Sequence, residues 1–424
     1  MSETSRPARN ARPPARANPT DGVRPTESVR NHVAALAPDQ LPAYVYDLAA
    51  LSEHAAAVRA ALPDRVELYY AAKANPEAPL LTALRSAVDG YEVSSGGELT
   101  HVRAAVPDAP LAFGGPGKTP AEIAAAVAAG VHRWHVESEH ELHLLAAALT
   151  DRPGTVVDVL LRVNLAVAAD ALDAVPLAMG GRPTPFGLDP DRAGECVRLL
   201  TGGGPLGQQL RLRSVHAHLA SGLAAPEQLS VASQIVAWSA ALAERHGFPL
   251  AEVNIGGGMA VDYEDPAAHF DWTAFGKGLA ELLDARPGLT LRIEPGRALT
   301  AHCGWYATEV LDVKRSHGED FAVVRGGTHH LRTPATRGHS QPFAVLPVDA
   351  WPHPWRRPAV TTGRATLAGQ LCTPKDVLAR AAEGADGLRA ADRVLFAMAG
   401  AYAWNISHHE FLMHPRPGFH YLGG

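Results

Sequence analysis

Between residues 43 and 300 the chain alternates short apolar runs with longer stretches rich in alanine, leucine and glutamate. Short runs of aromatic and β-branched residues predict buried strands, whereas the longer stretches predict helices, such as 120–129 and 139–148. The strand-like runs are 43–47, 66–72, 111–113, 132–137, 156–164, 212–218, 251–257 and 289–295. About eight such units predict an α/β fold with a closed (β/α)8 TIM-like barrel, and a doubly wound open sheet is the alternative.

The pattern changes after residue 300, where strand-like runs follow one another without regular helices between them. These runs are "GWYATEVLDVKR", "DFAVVRGG", "FAVLPV" and "RATLAGQLC". They predict a mainly antiparallel β domain over residues 301–424. The barrel domain is then predicted over residues 36–300, although the strand at 43–47 could join the β domain as an edge strand.

The first 35 residues are rich in arginine, proline, alanine, serine and threonine and contain few large apolar side chains. Such a segment buries too little surface to offset the entropy lost on ordering, so residues 1–35 are predicted to be a disordered tail. A basic transit peptide is a weaker interpretation, because Asp21 and Glu27 interrupt the basic character.

The composition narrows the functional classes. The chain has 424 residues, 46% of them hydrophobic, and a net charge of −6, which gives no reason to expect a nucleic-acid partner. Its three cysteines form no CxxC pair, so neither a disulfide framework nor a zinc ribbon is indicated. We find no apolar run long enough for a membrane span and no secretory signal, and therefore expect a soluble cytoplasmic protein without a membrane partner.

Lys73 ends the apolar run "VELYYAA" and is followed three residues later by Pro76. One interpretation is a lysine whose stem is buried while its amine stays in water. The other is a desolvated amine with a lowered pKa, suited to forming a Schiff base with an aldehyde. Lys73 alone does not distinguish between them.

Other predicted strands end in residues that also carry chemistry, and active sites of α/β barrels gather at the carboxyl ends of the strands. Gly256, Gly257 and Gly258 could cradle an anion with backbone N–H groups, or form a plain turn. His218 could be a core histidine, and Glu294 a turn or cap carboxylate. Taken together with Lys73, these residues indicate a site for a phosphorylated, nitrogen-containing ring that carries an aldehyde.

At this point the chain resembles the fold-type III pyridoxal-phosphate enzymes, specifically the ornithine/diaminopimelate decarboxylase group. The resemblance extends from about Ala43 to Leu422. The motifs that carry it, in order along the chain, are "YAAKAN", "GYEVSSGGEL", "HAHLASG", "NIGGG", "EPGR", "QLCTPKD" and "GAYAWNIS". Each motif alone is a weak signal of relationship, but the order and spacing of all seven along the chain argue against chance similarity.

The resemblance implies a role for each matching residue. Lys73 would hold pyridoxal 5'-phosphate covalently, His218 would stack on the ring, and Glu294 would pair with the ring nitrogen, so that the protonated ring becomes a stronger electron sink. Arg162 would lie near the cofactor. The phosphate would be held by Ser221, Gly256, Gly257, Gly258, Arg297 and Tyr402.

The resemblance also implies a homodimer with shared active sites. Cys372 matches the family cysteine that enters the site from the partner subunit and helps to protonate the carbanion after carbon dioxide leaves. Without the surrounding match, Cys372 would be interpreted as a small buried hydrophobe.

The chain departs from the family directly after this cysteine, where Thr373 replaces the usual acidic residue, although Asp376 matches the later acid of the motif. Because the missing carboxylate would pair with a free distal ammonium, the departure argues against simple ornithine or lysine as substrate. The segment 325–343 is also unusual, and resembles the siderophore-biosynthetic branch, whose decarboxylases act on diamino acids conjugated to citrate. Its candidate substrate residues are Arg325, His329, His330 and Arg337, unless the segment is only a solvated loop.

The alternatives left open are a decarboxylase of diaminopimelate, of a free basic amino acid or of an aminoacyl group on a carrier protein. An amino-acid racemase and a non-catalytic pyridoxal-phosphate-binding protein fit less well, because the motifs around Cys372 and Tyr402 favour a decarboxylase. No metal site is predicted, since His409 and His414 are five residues apart and not the four that the HExxH helix motif requires.

Overall fold

The computed structural model describes residues 23–167 and 180–424, and these residues form two β-sheet systems. The strands are β1 Ala43–Asp47, β2 Val66–Ala71, β3 Gly90–Val93, β4 Leu111–Phe113, β5 Arg133–Val136, β6 Val157–Arg162, β7 Leu210–His216, β8 Glu252–Asn254, β9 Thr290–Ile293, β10 Gly304–Ser316, β11 Glu319–Val324, β12 Phe343–Leu346, β13 Arg364–Ala368, β14 Val377–Glu383, β15 Arg393–Phe396 and β16 Gly418–Leu422.

Most of the α-helices lie between the strands of the first half of the chain. They are α1 Glu27–Ala35, α2 Leu48–Ala61, α3 Ala78–Leu84, α4 Gly96–Ala105, α5 Pro120–Ala128, α6 Glu139–Leu149, α7 Pro190–Thr201, α8 Pro205–Gln209, α9 Ala225–His246, α10 Trp272–Asp284, α11 Arg297–Thr300 and α12 Thr333–Arg337. Among the described residues, no helix has both the length and the apolarity needed to cross a bilayer.

Strands β2 to β9 form the barrel. They pair in sequence order, each pair is parallel, and β9 returns to pair with β2, so that Leu68 lies opposite Ile293. Parallel strands require crossover connections, and helices on the outside of the barrel provide them. In α9, for example, Val231, Ile235 and Leu242 are buried, as expected for one apolar helix face. The predicted (β/α)8 barrel is confirmed.

One barrel strand, β3, was not predicted from the hydrophobic pattern, and one predicted strand, at 43–47, belongs to the second sheet and not to the barrel. The four-residue strand β3 carries a glutamate, Glu92, in its third position, which broke the apolar run. The run at 43–47 is β1, which pairs with β10 and β16 in the second sheet and not with the barrel. All five of its residues are buried, so its local pattern is the same as that of a barrel strand.

The second sheet has eight strands in the order β12-β15-β10-β11-β13-β14, with β1 paired to β10 and β16 paired to β1. Two of its pairs are parallel, β1 with β16 and β11 with β13, and the others are antiparallel. The predicted mainly antiparallel β domain is therefore confirmed. Because β1 precedes the barrel in sequence, the chain enters and leaves the barrel through this sheet.

The predicted disordered tail is wrong at its carboxyl end. Residues Glu27–Ala35 form α1, which begins after Thr26, whose hydroxyl accepts a hydrogen bond from the Val29 backbone N–H. Val29 and Val33, one helical turn apart, are buried in a cluster with Val45 and Trp305 of the second sheet. Burial of this short apolar stripe compensates for the ordering entropy. The remainder of the predicted tail, residues 1–22, lies outside the described residues.

Candidate active site

The carboxyl ends of the barrel strands surround one cavity of about 480 Å³. Parallel strands all end on the same side of a closed barrel, so residues distant in sequence meet there. The lining includes Lys73, Glu92, Arg162, His216, His218, Ser221, Gly257, Gly258, Glu294, Arg297, Arg337 and Tyr402. The structure therefore brings together most of the cofactor residues predicted from the sequence, and adds Glu92 and His216.

Lys73 lies in a single turn of 3-10 helix, Ala72–Ala74, directly after β2. Its amine donates a 2.8 Å hydrogen bond to the Glu92 carboxylate, which also accepts from the Ser94 hydroxyl at 2.7 Å. Removal from bulk water opposes the charge on the amine, but the adjacent Glu92 outweighs this effect and raises the pKa of Lys73. The hypothesis of a lowered pKa is therefore wrong for the cofactor-free protein: Glu92 holds Lys73 as an ammonium.

Glu294 follows β9 and is 8% exposed. One of its oxygens accepts a 2.7 Å hydrogen bond from the Asn254 amide. Burial, with the nearby Glu92 charge as a second cause, raises the pKa of Glu294 to about 7. Among the described residues, no lysine or arginine lies within 4.0 Å of this carboxylate, so it lacks a cationic partner.

Two histidines that the sequence did not single out surround Glu294. His135 Nε2 lies 3.5 Å from one carboxylate oxygen and His216 Nε2 lies 3.7 Å from the other. Their rings are 4.1 Å apart, and burial, followed by neighbouring charged or polar groups, lowers the pKa of both well below the usual value. Within the described chain, neither ring nitrogen of His216 has a hydrogen-bond partner. The two rings therefore contribute neutral polar surface and no counter-charge.

His218 lies on the wall of the cavity next to the glycine loop. Its Nδ1 accepts a 3.2 Å hydrogen bond from the backbone N–H of Gly257. Burial, together with the charges of Lys73 and Arg162, lowers the pKa of His218 to about 3, so the ring is neutral. A neutral imidazole at a cavity wall fits the predicted role of stacking on an aromatic ring.

The glycine run after β8 is a close-approach loop. Gly256 and Gly258 have positive φ angles of 69° and 103°, and a Cβ on Gly257 would lie 2.4 Å from the Glu294 carbonyl oxygen. A side chain at these positions would therefore be strained or would clash. Because it lacks side chains, the loop can pack closely against these neighbours while Gly257 and Gly258 line the cavity beside the Arg297 guanidinium and the Ser221 hydroxyl. This arrangement suits an anion such as phosphate.

Arg297 is held in place at this side of the cavity by aromatic side chains. It donates a 2.9 Å hydrogen bond to the Tyr263 hydroxyl, and its guanidinium carbon lies 4.6 Å from the centre of the Tyr402 ring. Arg162, at the end of β6, is instead paired with Glu137 at 2.7 Å. Arg297 is therefore the better-placed cation for a phosphate, and Arg162 lines the cavity as part of a neutralised pair.

The remaining predicted residues lie in the β domain, and only Arg337 reaches the cavity of its own chain. Cys372 is exposed, and Thr373 follows it in the same loop. Asp376 is buried and accepts hydrogen bonds from the backbone N–H groups of Thr328 and Leu371 at 2.6 and 2.8 Å. It therefore shapes the Cys372 loop in the isolated chain, and a direct role toward substrate stays a prediction.

Three further candidates for substrate binding also lie outside the cavity. Arg325 pairs with Glu309. His329 and His330 are buried against each other, with ring centres 3.9 Å apart. Their proposed contacts with substrate stay predictions.

The residues in contact with Lys73 or Glu294 that the sequence missed are Glu92, His135, His216 and Asn254. Glu92 lies in "GYEVSSGGEL", one of the motifs of the resemblance, so a signal for it was present. His216 and Asn254 are also in such motifs, two residues before His218 and Gly256. His135 carries no motif, and only the pairing of β5 within the barrel places it beside Glu294.

Comparison with known proteins agrees with this geometry. The family model for the pyridoxal-binding domain of pyridoxal-dependent decarboxylases matches residues 48–301. The chain is 39% identical over 382 residues to 2-[(L-alanin-3-ylcarbamoyl)methyl]-2-hydroxybutanedioate decarboxylase of Staphylococcus aureus, covering 89% of this chain and 93% of the relative. It is 30% identical over 392 residues to the L-glutamyl-[BtrI acyl-carrier protein] decarboxylase of Niallia circulans, covering 89% and 88%.

Among solved structures, diaminopimelate decarboxylase from Helicobacter pylori superposes with a TM-score of 0.76 at 23% identity, covering 90% of this chain and 91% of that one. This likeness supports the fold. Pyridoxal phosphate is the cofactor. The glycine loop, the neutral His218 ring and the buried carboxylate of Glu294 fit its phosphate, ring face and ring nitrogen. The chain therefore belongs to the pyridoxal-dependent decarboxylase family and is a pyridoxal-phosphate-dependent carboxy-lyase.

Proposed function

We propose that this enzyme removes the α-carboxylate of a diamino acid whose distal amine is joined to citrate, in the biosynthesis of a siderophore in the cytoplasm. The name of the Staphylococcus aureus relative describes an L-alanine unit attached through its third carbon to an amide of a hydroxybutanedioate, which is a citrate skeleton. In such a substrate the distal nitrogen is a neutral amide and the added group carries carboxylates. The pocket is therefore expected to offer cations to the distal end.

The observation that carries this proposal is the position of Arg337. It ends α12 of the β domain and lines the cavity, together with Arg297 and Lys73. No described carboxylate lies within ion-pair distance of Arg337. Arg337 is exposed at the cavity, but partial desolvation there, followed by the like charge of Arg297, lowers its pKa, so an anion between the two guanidinium groups would be favoured. Arg297 is assigned to the cofactor phosphate, which leaves Arg337 for a substrate carboxylate.

The residue after Cys372 supports the same substrate class. Thr373 cannot form an ion pair, so the chain lacks the acidic side chain that would hold a free distal ammonium at this position. An amide nitrogen does not need such a partner. Both features, the Arg337 cation in the cavity and the absence of an acid after Cys372, favour a substrate with a neutral distal nitrogen and added carboxylates.

The reaction follows from the arrangement of the cavity. Pyridoxal phosphate, when bound, supplies the electron sink for the electron pair that remains as carbon dioxide departs. Lys73 would hold the cofactor and must first lose the proton that Glu92 stabilises on its amine. Glu294 would hold a proton at the ring nitrogen, and Gly258 and Arg297 would bind the phosphate, since the Gly257 N–H already donates to His218.

The protonation step after carbon dioxide loss involves the partner subunit in this proposal. Cys372 is exposed and does not line the cavity of its own chain. Gln370, two residues earlier, is hydrogen-bonded to His414 at 3.0 Å, and the adjoining turn exposes Phe411, Leu412 and Met413, the last by 88%. An apolar turn tied to the cysteine loop is suited to a contact with a second copy. We therefore propose a homodimer in which each subunit supplies Cys372 to the other cavity.

The substrate assignment is tested by comparing kcat/KM for free diaminopropionate, ornithine, lysine and diaminopimelate with that for their citryl conjugates. We expect the citryl conjugate of one diamino acid to be preferred by at least about tenfold, since one charge-assisted contact contributes about 1.5–3 kcal/mol. A free diamino acid or a carrier-bound aminoacyl group that is better by more than tenfold would contradict the proposal.

Arg337→Gln isolates the contact. It should lower kcat/KM for the citryl conjugate by about ten- to a hundredfold and leave cofactor affinity unchanged. Arg332→Gln is the matched control, because Arg332 precedes the same helix but does not line the cavity. If Arg337→Gln instead weakens cofactor binding, Arg337 serves the phosphate and its substrate role is wrong.

A further inference from the structure

Asn254, the last residue of β8, is fully buried between the two ends of the cofactor site. Its amide oxygen accepts a 2.8 Å hydrogen bond from the backbone N–H of Gly256. Its amide nitrogen donates to Glu294 at 2.7 Å and lies 3.2 Å from His135 Nε2. One side chain therefore contacts the phosphate loop, the carboxylate predicted to pair with the ring nitrogen, and the buried histidine.

We propose that Asn254 is a positioning residue that couples the two anchors of the cofactor. Its amide sets the Glu294 carboxylate and the Gly256–Gly258 loop in one fixed spatial relation. The distance between the group that meets the ring nitrogen and the group that meets the phosphate is thereby defined before the cofactor binds. This inference rests on the cofactor of the family and not on the proposed substrate.

The orientation of the amide is determined by its three neighbours. Gly256 offers an N–H, which requires the amide oxygen, and ionised Glu294 offers only acceptors, which requires the amide nitrogen. A flipped amide would place two donors together and two acceptors together. The second amide N–H then points to His135 Nε2, which accepts if the neutral ring carries its proton on Nδ1. His135 thus supports the amide, while Asn254 makes the contact with Glu294.

No other contact replaces this one. Within the described ranges, the Asn254 amide donates the hydrogen bond that the Glu294 carboxylate accepts, and the histidine nitrogens lie farther away, at 3.5 and 3.7 Å. A donor to the ionised form also favours ionisation, which opposes the effect of burial on the pKa of Glu294. Without the amide, the carboxylate would be free to rotate and would be protonated more readily.

The test measures the dissociation constant of pyridoxal 5'-phosphate, and its absorption spectrum when bound, as functions of pH. Asn254→Ala should raise the dissociation constant at least about tenfold, since the lost hydrogen bond is to a charged group. Asn254→Asp keeps the acceptor for Gly256 but, when ionised, cannot donate to Glu294. Its deficit should therefore shrink as the pH falls and the new carboxyl becomes a donor.

Gln228→Ala is the matched control. Gln228 is also a buried amide that holds the loop, donating to the Gly257 carbonyl at 3.0 Å, but it makes no contact with Glu294. Its effect on cofactor affinity should not depend on pH. A pH-independent deficit in Asn254→Asp, equal to that of Gln228→Ala, would show that Asn254 supports only the loop and would overturn the coupling.

A second readout remains informative if Asn254→Ala folds poorly. Ser221→Ala removes a phosphate contact and Glu294→Gln changes the ring contact. When Asn254 is present, the effects of these two substitutions on cofactor affinity should be non-additive, because the Asn254 side chain links the phosphate loop to Glu294. In the Asn254→Asp background at high pH they should become additive. Additivity in both backgrounds would contradict the proposal, whatever the substrate proves to be.

Discussion

The two ends of the barrel both bury charged side chains, but they treat them differently. Near the amino ends of the strands, the carboxylates of Glu67, Asp158 and Glu252 each have at least one guanidinium within 4.0 Å. The network contains Glu67, Asp158, Glu252, Arg133, Arg211 and Arg292. At the carboxyl ends, the polar groups nearest to Glu294 among the described residues are the Asn254 amide and two neutral histidines.

The difference shows which end serves stability and which serves chemistry. Charges that are paired with each other within the protein have no need of a ligand, and removing one partner leaves the other buried alone. A buried carboxylate without a cation is costly in the free protein, but it is ready for a positively charged ring nitrogen. The carboxyl end also contains paired charges, Lys73 with Glu92 and Arg162 with Glu137, so it is the Glu294 carboxylate that is left for the cofactor to complete.

The strongest way to break the functional end is Lys73→Ala. We expect a loss of at least about 10⁴-fold in kcat, because the residue that holds the cofactor is removed. Mass spectrometry after borohydride treatment should show a permanent cofactor adduct on the wild type and none on the variant. Lys277→Ala, an exposed lysine on α10, is the control and should retain the adduct. An adduct on the Lys73 variant would refute the assignment.

The compensated end is tested by Arg292→Met. Arg292 is fully buried and bridges Glu67 and Glu252 at 2.5 and 2.8 Å. Its loss leaves both carboxylates short of a partner, so the free energy of unfolding should fall by about 3–5 kcal/mol. Chemical denaturation measures this change. The absorption spectrum of the bound cofactor should stay that of the wild type. An altered spectrum with unchanged stability would contradict the assignment of this end of the barrel to stability and of the opposite end to chemistry.

Glu294→Gln sharpens the comparison, because it removes a charge that has no internal cation. Turnover should fall by at least about 10²-fold, comparable to the loss of one strong electrostatic stabiliser, as ring protonation is weakened. The stability of the cofactor-free protein should be retained or increased. Glu252→Gln, the corresponding change at the opposite end, should lower stability. Near-normal turnover in Glu294→Gln would contradict a role for Glu294 at the ring nitrogen and would indicate that it only forms part of a turn.

The smallest effect concerns pH. The pKa of Glu294 is raised to about 7 in the cofactor-free protein, above its value of about 4.5 in an unfolded chain, so its contribution to stability is complete below pH 4.5 and is lost as the pH rises through 7. The melting temperature of the cofactor-free protein should therefore fall between pH 6.5 and 8. The lowered pKa values of His135, His216 and His218 affect stability mainly below pH 6.5.

Glu294→Gln should remove this decrease, and bound cofactor should abolish it by supplying a positive partner for the carboxylate. A decrease of equal size in the variant would assign the pH dependence to another group.

The local pattern predicted much of this molecule. Apolar runs separated by helical stretches indicated the barrel, and the polar residues at the ends of those runs converge because parallel strands end on one side. Lys73, His218, the glycine loop and Glu294 could be located in this way. The antiparallel domain was visible in the same manner, from strands that follow one another without helices.

The tertiary structure decided the features that depend on partners distant in sequence. The run at 43–47 has the burial pattern of a barrel strand, but its pairing with β10 and β16 places it in the other domain. The two valines of α1 stabilise a helix only because the second sheet offers them an apolar surface. The charge state of Lys73 depends on Glu92 of a neighbouring strand, and the carboxylate of Glu294 is oriented by Asn254. Hydrophobic periodicity is a local property of the chain, whereas ion pairs, burial and pKa shifts arise between residues that only folding brings together.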